Sequence, residues 1–228
     1  MDQYSHDLLD FLSQYVSSGK KRAMDKVLDF RTRYLTVVLE DIYQSQNASA
    51  VIRSCDCFGI QDLHVIENKH HYAVNPRVVH GASKWVDIFH YKESHRNSEN
   101  CFEHLKNAGY RLVGTLPSPE AQSIYDLEID EPLALVFGTE KYGISTVAKK
   151  YCDSFVTIPM YGFTESFNVS VSAALAINIL STKLFSSKQD WQLSGEDRLQ
   201  LKLKWSKKVV ARSEILEKEF LRSGKYFS

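Results

Sequence analysis

The sequence predicts an α/β fold, a doubly wound and mostly parallel sheet flanked by N- and C-terminal helices. Two observations carry this. Short β-branched and apolar runs recur through the middle of the chain, among them YLTVVLE, DLHVIE, LALVFG and SFVTIP. Helical patterns ending in glycine separate several of them, and strands that alternate with helices build parallel sheets through crossovers. The 228 residues, 43% hydrophobic and 25% charged, suit one such domain with terminal additions.

The elements follow in order. Leu8, Leu9, Leu12, Tyr15 and Val16 keep helical spacing, and Ser17-Ser18-Gly19 closes that helix. Residues 20–33 form a basic helix with Met24, Val27 and Leu28 on its apolar side, so 1–33 is an N-terminal helical extension. YLTVVLE (34–40) is a buried strand. After DIYQSQ, Asn47 is the expected N-cap of a helix that runs to Phe58 and stops at Gly59. Strands are expected at 62–67, 86–91, 110–115, 133–138 and 154–159, with 68–85, including His70-His71 and GASKW, irregular. SENCFEHLKNAG is a helix stopped by Gly109. Asn168 opens a helix of small residues (Ala173, Ala174, Ala176, Ile177, Leu180) that closes a core domain over 34–185. Residues 186–195 are a linker, and Ser194 with Asp197 starts one long basic helix, running to about Leu221, in the segment 194–228. No internal repeat and no low-complexity tract occurs.

The net charge of zero hides an asymmetry. Residues 20–33 carry six Lys/Arg against two Asp/Glu, residues 196–228 nine against five, and residues 34–195 thirteen against eighteen. Basic flanks around a mildly acidic core are either solvated helix faces or a grip for a polyanion. The four cysteines, 55, 57, 101 and 152, have no metal or disulfide spacing and read as buried free thiols of a reducing compartment. No apolar run has transmembrane length and MDQYSHDLL is no signal start, so a cytoplasmic protein without membrane contact is expected. Eight histidines without H-E-x-x-H give no metal site.

Three stretches carry chemistry. In NASAVIRSCDCFGI, Asn47 and Arg53 stand on the helix after the first strand; taken alone, Arg53 is a reach toward the sheet's carboxyl edge or a surface partner of Asp56 or Glu40. In LALVFGTEKYGIS, Gly138 to Ser145 nearly matches a phosphate loop, but Ile144 replaces its lysine, which excludes a nucleoside triphosphatase. What remains is a glycine-flanked loop presenting Glu140 after a core strand. In SFVTIPMYGFTESFNVS, Ser166 and Asn168 stand at a helix entrance beyond a strand's carboxyl end, a natural ligand position. G-x-G-x-x-G and G-x-S-x-G are absent, against dinucleotide and serine-hydrolase chemistry.

Together and in this order, N-x-x-A-x-x-R (Asn47, Ala50, Arg53), F-G-x-E (Phe137, Gly138, Glu140) and I-P-M-x-G-x-x-x-S-x-N-V-S (Ile158 to Ser170) resemble the motifs of the SpoU (TrmH-like) branch of the knotted RNA methyltransferases. The resemblance spans roughly 34–185. It implies methyl transfer from S-adenosylmethionine to a ribose 2′-hydroxyl of RNA, a deep C-terminal trefoil knot and a homodimer. It implies cofactor loops at Gly114–Pro117, Gly138–Gly143 and Ile158–Asn168, with contacts at Thr115, Leu116, Gly138, Ile158, Met160 and Phe167. In the family, the arginine matching Arg53 is assigned as base; guanidinium groups rarely release a proton, so a clamp on phosphate or developing alkoxide is the alternative. Asn47 and Glu140 are then expected to orient Arg53, with Ser166 and Asn168 shaping the reacting pocket. RNA contacts are expected at Lys20, Lys21, Arg22, Lys84, Lys207 and Lys208.

The flanking helices and the third motif are most similar to the tRNA guanosine 2′-O-methyltransferases, which act on D-loop position 18. Ribosomal RNA and the tRNA wobble ribose are the alternatives within the chemistry. An inactive RNA-binding module on the same fold is the alternative outside it. The His- and aromatic-rich segment 64–95 has no functional account at this level.

Overall fold

The structure, a computed structural model, describes residues 3–70, 79 and 81–222. Two compact units divide the chain: Thr32–Trp191, and a unit joining Met1–Arg31 to Gln192–Ser228.

In the larger unit, β1 (Leu35–Glu40), β2 (Asp62–Ile66), β3 (Asp87–Tyr91), β4 (Arg111–Thr115), β5 (Gln122–Ser123), β6 (Leu133–Phe137) and β7 (Ser154–Thr157) form one sheet in the order β3-β2-β1-β6-β4-β7-β5. Every pairing is parallel, with Val37 beside Leu63 on one side and Leu135 on the other. The sheet is covered on both faces, so its central strands are buried throughout. Alternation divides their side chains. Leu35, Val37, Leu39, Leu133, Leu135 and Phe137 join Val51, Ile52 and Ile177 in one core. Val38, Ala134 and Val136 face Phe102, Leu105 and Ala148 in the other. The helices are α1 (Gln3–Ser13), α2 (Ser18–Leu28), α3 (Ser45–Cys57), α4 (Asn97–Asn107), α5 (Thr146–Tyr151), α6 (Val169–Phe185), α7 (Gly195–Val209) and α8 (Ser213–Arg222). α3 packs on α6 over the first core, and α4 on α5 over the second.

The doubly wound parallel sheet agrees with the sequence; several local features differ. A seventh strand, β5, has only two residues, too short for any alternation to register. Helix α5 and a 3₁₀ turn at Ala82–Lys84 also lack a legible sequence pattern. Helix α1 stops at Ser13, and Ser17, expected to close it, instead caps α2 by accepting from Lys20 N. α2 ends at Leu28 rather than 33, and the expected single C-terminal helix is two, divided where Arg212 adopts φ 55°. Gly59 and Gly109 take the left-handed conformation expected of stops. Ser194 caps α7, accepting from Asp197 N at 3.0 Å.

The terminal unit has its own core of Leu8, Leu12, Val16, Leu203, Val210 and Phe220. Tyr4 and Lys207 both donate to Glu217, at 2.9 and 2.7 Å. Burial raises that carboxyl, but these bonds outweigh it and leave it below its ordinary range. Arg198 pairs with Asp29, Lys202 with Asp25, and the Arg31 guanidinium lies over the Trp205 ring. Arg31, Arg198, Lys202 and Lys207 of the basic flanks are therefore engaged within the unit.

The segment 64–95 now has a packing account, with 71–78 and 80, His71 among them, outside the described residues. His64 stacks on Phe89 at 4.9 Å and lies 3.1 Å from the Tyr91 hydroxyl through Nδ1. Burial first, and then nearby His104, lower the His64 imidazole to about 4. Asp41 holds the end of β2's loop, accepting from the backbone N–H of Asn68, Lys69 and His70. Cys55 and Cys101 are buried thiols, whereas Cys57 is exposed and Cys152 half-buried, contrary to expectation. No described helix is long and apolar enough to cross a membrane.

Candidate active site

Because all strands run the same way, their following loops gather at one sheet edge. β1 and β6 are neighbours there, so the loops carrying the first two motifs meet although 93 residues separate Asn47 from Glu140. The chain's direction across the sheet reverses at this point, which opens a crevice.

A cavity of about 830 Å³ lies at the same sheet edge, walled by the segments that follow β4, β5, β6 and β7. Thr115, Leu116, Gly138, Ile158, Met160 and Phe167, the six expected cofactor contacts, all line it, as do Glu140, Ser166 and Asn168. Ile124, Phe137 and Val156 add apolar wall, Thr139, Thr157 and Ser172 polar wall. Ile124 follows the two-residue β5 in a stretch without strand pattern, so the sequence offered no signal for it.

Asn47 joins the three motifs. Its Nδ2 donates to Glu140 Oε1 at 2.7 Å, and its Oδ1 accepts from Asn168 Nδ2 at 3.2 Å. This changes its expected role. Helix α3 begins at Ser45, with Gln44 as an N-cap whose side chain makes no capping bond, and Asn47 sits inside the first turn, 6% exposed. The helix start is served from outside: Glu140 accepts from Tyr43 N and Gln44 N at 3.2 and 3.4 Å. Burial raises the Glu140 carboxyl, but the Asn47 and backbone N–H donors outweigh it, so it is lowered overall. Asn168 caps α6, accepting from Ser170 N at 2.9 Å.

Arg53 is not among these contacts. It is exposed on α3, away from the cavity wall, and forms no hydrogen bond or ion pair among the described residues. Asn47 and Glu140 hold each other rather than Arg53, and Asp56 and Glu40 do not hold it either. Its guanidinium is left available to an incoming group.

The Gly138–Gly143 loop is a tight turn. Thr139 N donates to Gly143 O at 3.0 Å and Gly143 N to Thr139 O at 2.9 Å. A Cβ on Gly138 would stand 2.1 Å from Gly143 O, so only glycine permits this closure. Beyond it, Ile144 is buried against Gly114 and Phe155, and Ser145 caps α5. The Ser145 hydroxyl donates to Glu40 Oε1 at 2.8 Å and its N–H to Oε2 at 3.1 Å. The near match to a phosphate loop thus ends in an internal cap.

Of the expected RNA contacts, Lys20, Arg22, Lys84 and Lys208 are exposed and Lys21 half-buried. Lys207 is half-buried and pairs with Glu217.

Residues 34–178 match the SpoU rRNA methylase family. The chain belongs to that family. A relative in Borreliella burgdorferi, named tRNA (guanosine(18)-2′-O)-methyltransferase, is 40% identical over 206 residues, 90% of this chain and 93% of that protein. The solved A. aeolicus TrmH/SpoU tRNA modifying enzyme superposes with a TM-score of 0.74 at 26% identity, covering 85% of this chain and 98% of that one. The SpoU methyltransferase AviRb of Streptomyces viridochromogenes, solved with AdoMet, shares the fold at a TM-score of 0.58 and 24% identity, over 69% of this chain and 60% of that one. The cavity suits AdoMet. Its apolar walls match a purine, its polar rim matches ribose and amino-acid groups, and 830 Å³ is the size of an ordinary small-ligand site.

Proposed function

We propose that this SpoU methylase transfers a methyl group from S-adenosylmethionine to the ribose 2′-hydroxyl of guanosine 18 in the D-loop of tRNA. One observation carries the proposal: Glu140, Asn47 and Asn168, one from each motif, form a single hydrogen-bonded chain whose outer members line the cavity. The activity for which the 40% identical relative is named supports the tRNA guanosine substrate over ribosomal RNA and the wobble ribose.

When bound, S-adenosylmethionine supplies a methyl group already activated on a sulfonium. This leaves the protein two tasks, aligning the 2′-oxygen and accommodating its proton. The fixed Glu140–Asn47–Asn168 chain holds the loops that shape the cavity mouth, with Ser166 on the same rim. Arg53, exposed on α3 and without a partner among the described residues, takes a phosphate of the incoming RNA and stabilises charge developing on the 2′-oxygen. Lys20, Lys21, Arg22, Lys84 and Lys208 supply the electrostatic grip.

A homodimer, a trefoil knot formed by the cavity loops and a cytoplasmic setting complete the proposal. Phe167, Val171 and Leu175, four residues apart, leave an apolar stripe exposed at the start of α6, beside Asn168 and Ser172 of the cavity wall. A second copy would cover it.

Labelled S-adenosylmethionine supplied with unmodified tRNA tests the proposal, with the product nucleoside identified by mass. The expected product is 2′-O-methylguanosine at position 18. Labelling of ribosomal RNA alone, or of a wobble pyrimidine, overturns the substrate assignment. Cofactor binding without transfer to either RNA overturns the enzymatic assignment.

A further inference from the structure

We propose that Glu40 is a positioning residue for the cofactor cavity: its buried carboxylate holds the far end of the Gly138–Gly143 loop through both polar groups of Ser145. The proposal rests on the cavity being the S-adenosylmethionine site.

Glu40 is the last residue of β1 and is 2% exposed. No Lys, Arg or His pairs with it among the described residues. Burying a carboxylate without a cation is unfavourable unless donors surround it. Three do: the Ser98 hydroxyl at 2.8 Å, the Ser145 hydroxyl at 2.8 Å and Ser145 N at 3.1 Å. Neither hydroxyl is free to reverse its role easily, because Ser98 Oγ accepts from Asn68 Nδ2 and Ser145 Oγ from Ala148 N. The site therefore presents donors to both oxygens, which a carboxylate can accept and a side-chain amide cannot.

The consequence lies in the loop. Its near end continues directly from β6, and its middle is held where Glu140 accepts from Tyr43 N just before α3. Its far end leaves Gly143, passes the buried Ile144 and reaches Ser145. Glu40 sits at the end of the strand beside β6, so one rigid sheet edge fixes both ends of the cavity lip. The Ser98 bond ties the same carboxylate to α4, which does not line the cavity. That provides an internal control.

Glu40→Gln is nearly isosteric and must set an amide N–H against either Ser145 N–H or the hydroxyl hydrogens. Glu40→Gln, Ser145→Ala and Ser98→Ala are compared in the full chain. Calorimetry measures S-adenosylmethionine affinity, and hydrogen exchange without ligand measures the backbone amides of 139–148 and 98–108. Glu40→Gln and Ser145→Ala are expected to weaken the cofactor about tenfold and to speed exchange of 139–148 about tenfold. Ser98→Ala is expected to leave affinity within twofold while speeding exchange in 98–108. Equal effects of Ser98→Ala and Glu40→Gln on 139–148, or no effect of Glu40→Gln there, overturn the proposal. If the wild-type chain fails to bind S-adenosylmethionine, the cofactor assignment falls, and the exchange data still decide whether Glu40 holds the loop.

Discussion

Gly138→Ala is the sharpest probe of the cavity lip. A methyl group there would lie 2.1 Å from Gly143 O, 2.2 Å from Gly143 C and 2.4 Å from Ile144 N, all backbone atoms. Ordinary contact begins at 3.4 Å, so the facing strand of the loop must retreat by about 1.3 Å. That displacement breaks the paired Thr139–Gly143 hydrogen bonds, each contributing about 0.5–1.5 kcal/mol, so roughly 2 kcal/mol is lost. For a domain of this size the melting temperature falls by about 4–8 °C. The same retreat moves Thr139, Glu140 and Tyr142 at the cavity wall, so cofactor affinity drops at least about tenfold. Scanning fluorimetry and calorimetry on the purified chain measure both. Gly162→Ala is the control, since its added Cβ meets nothing within 4 Å. A Gly138→Ala protein that melts within 1 °C of wild type (about 0.5 kcal/mol or less) and binds the cofactor equally well would refute the close-approach reasoning.

Three further outcomes are expected. Arg53→Ala leaves cofactor affinity within about twofold, since Arg53 lies off the cavity wall, while turnover falls at least about a hundredfold; calorimetry beside the methyl-transfer assay separates the two, and joint loss would contradict the division of roles. Glu140 has a lowered folded pKa, so its stabilising contribution is complete above its ordinary value of 4.5 and is lost as pH falls through the folded value. Denaturant titrations at a series of acid pH values should show Glu140→Gln with a shallower acid decline than wild type; identical slopes would refute this. His64, lowered from 6.5 to about 4, stays uncharged in the fold while the unfolded chain takes up a proton. Its contribution is complete above pH 6.5 and shrinks by about 3 kcal/mol on descending to pH 4, and His64→Phe should flatten that interval in urea titrations.

The parallel sheet was readable because its central strands are apolar on both faces, a pattern that half-buried strands and surface helices do not produce. The cavity wall was legible through the family resemblance: the second and third motifs follow β6 and β7 and line it, whereas the first touches it only through the bonds of Asn47 to Glu140 and Asn168. What stayed hidden depended on partners far away in sequence. Asn47 has the chemistry of an N-cap, and nothing local reveals that a carboxylate 93 residues later serves the helix start instead. Glu40 looks like an ordinary strand end until Ser98 and Ser145 surround it. Lys207 looks like surface charge until the turn at Arg212 brings Glu217 to it. Strand β5 contributes two residues, below the length at which alternation carries information.

The terminal unit also has a history in time. Leu8 and Leu12 are completely buried, but their covering residues Leu203 and Phe220 come from the other end of the chain. Tyr4 finds Glu217 across 213 residues. At ribosomal speeds of about 5–20 residues per second, the first helices wait on the order of 10–40 s for their partners. During that interval the sheet unit can complete itself while α1 and α2 stand exposed as amphipathic segments. A chain cut short before α7 would carry the whole sheet unit and a bare apolar N-terminal segment, the kind of surface that chaperones capture.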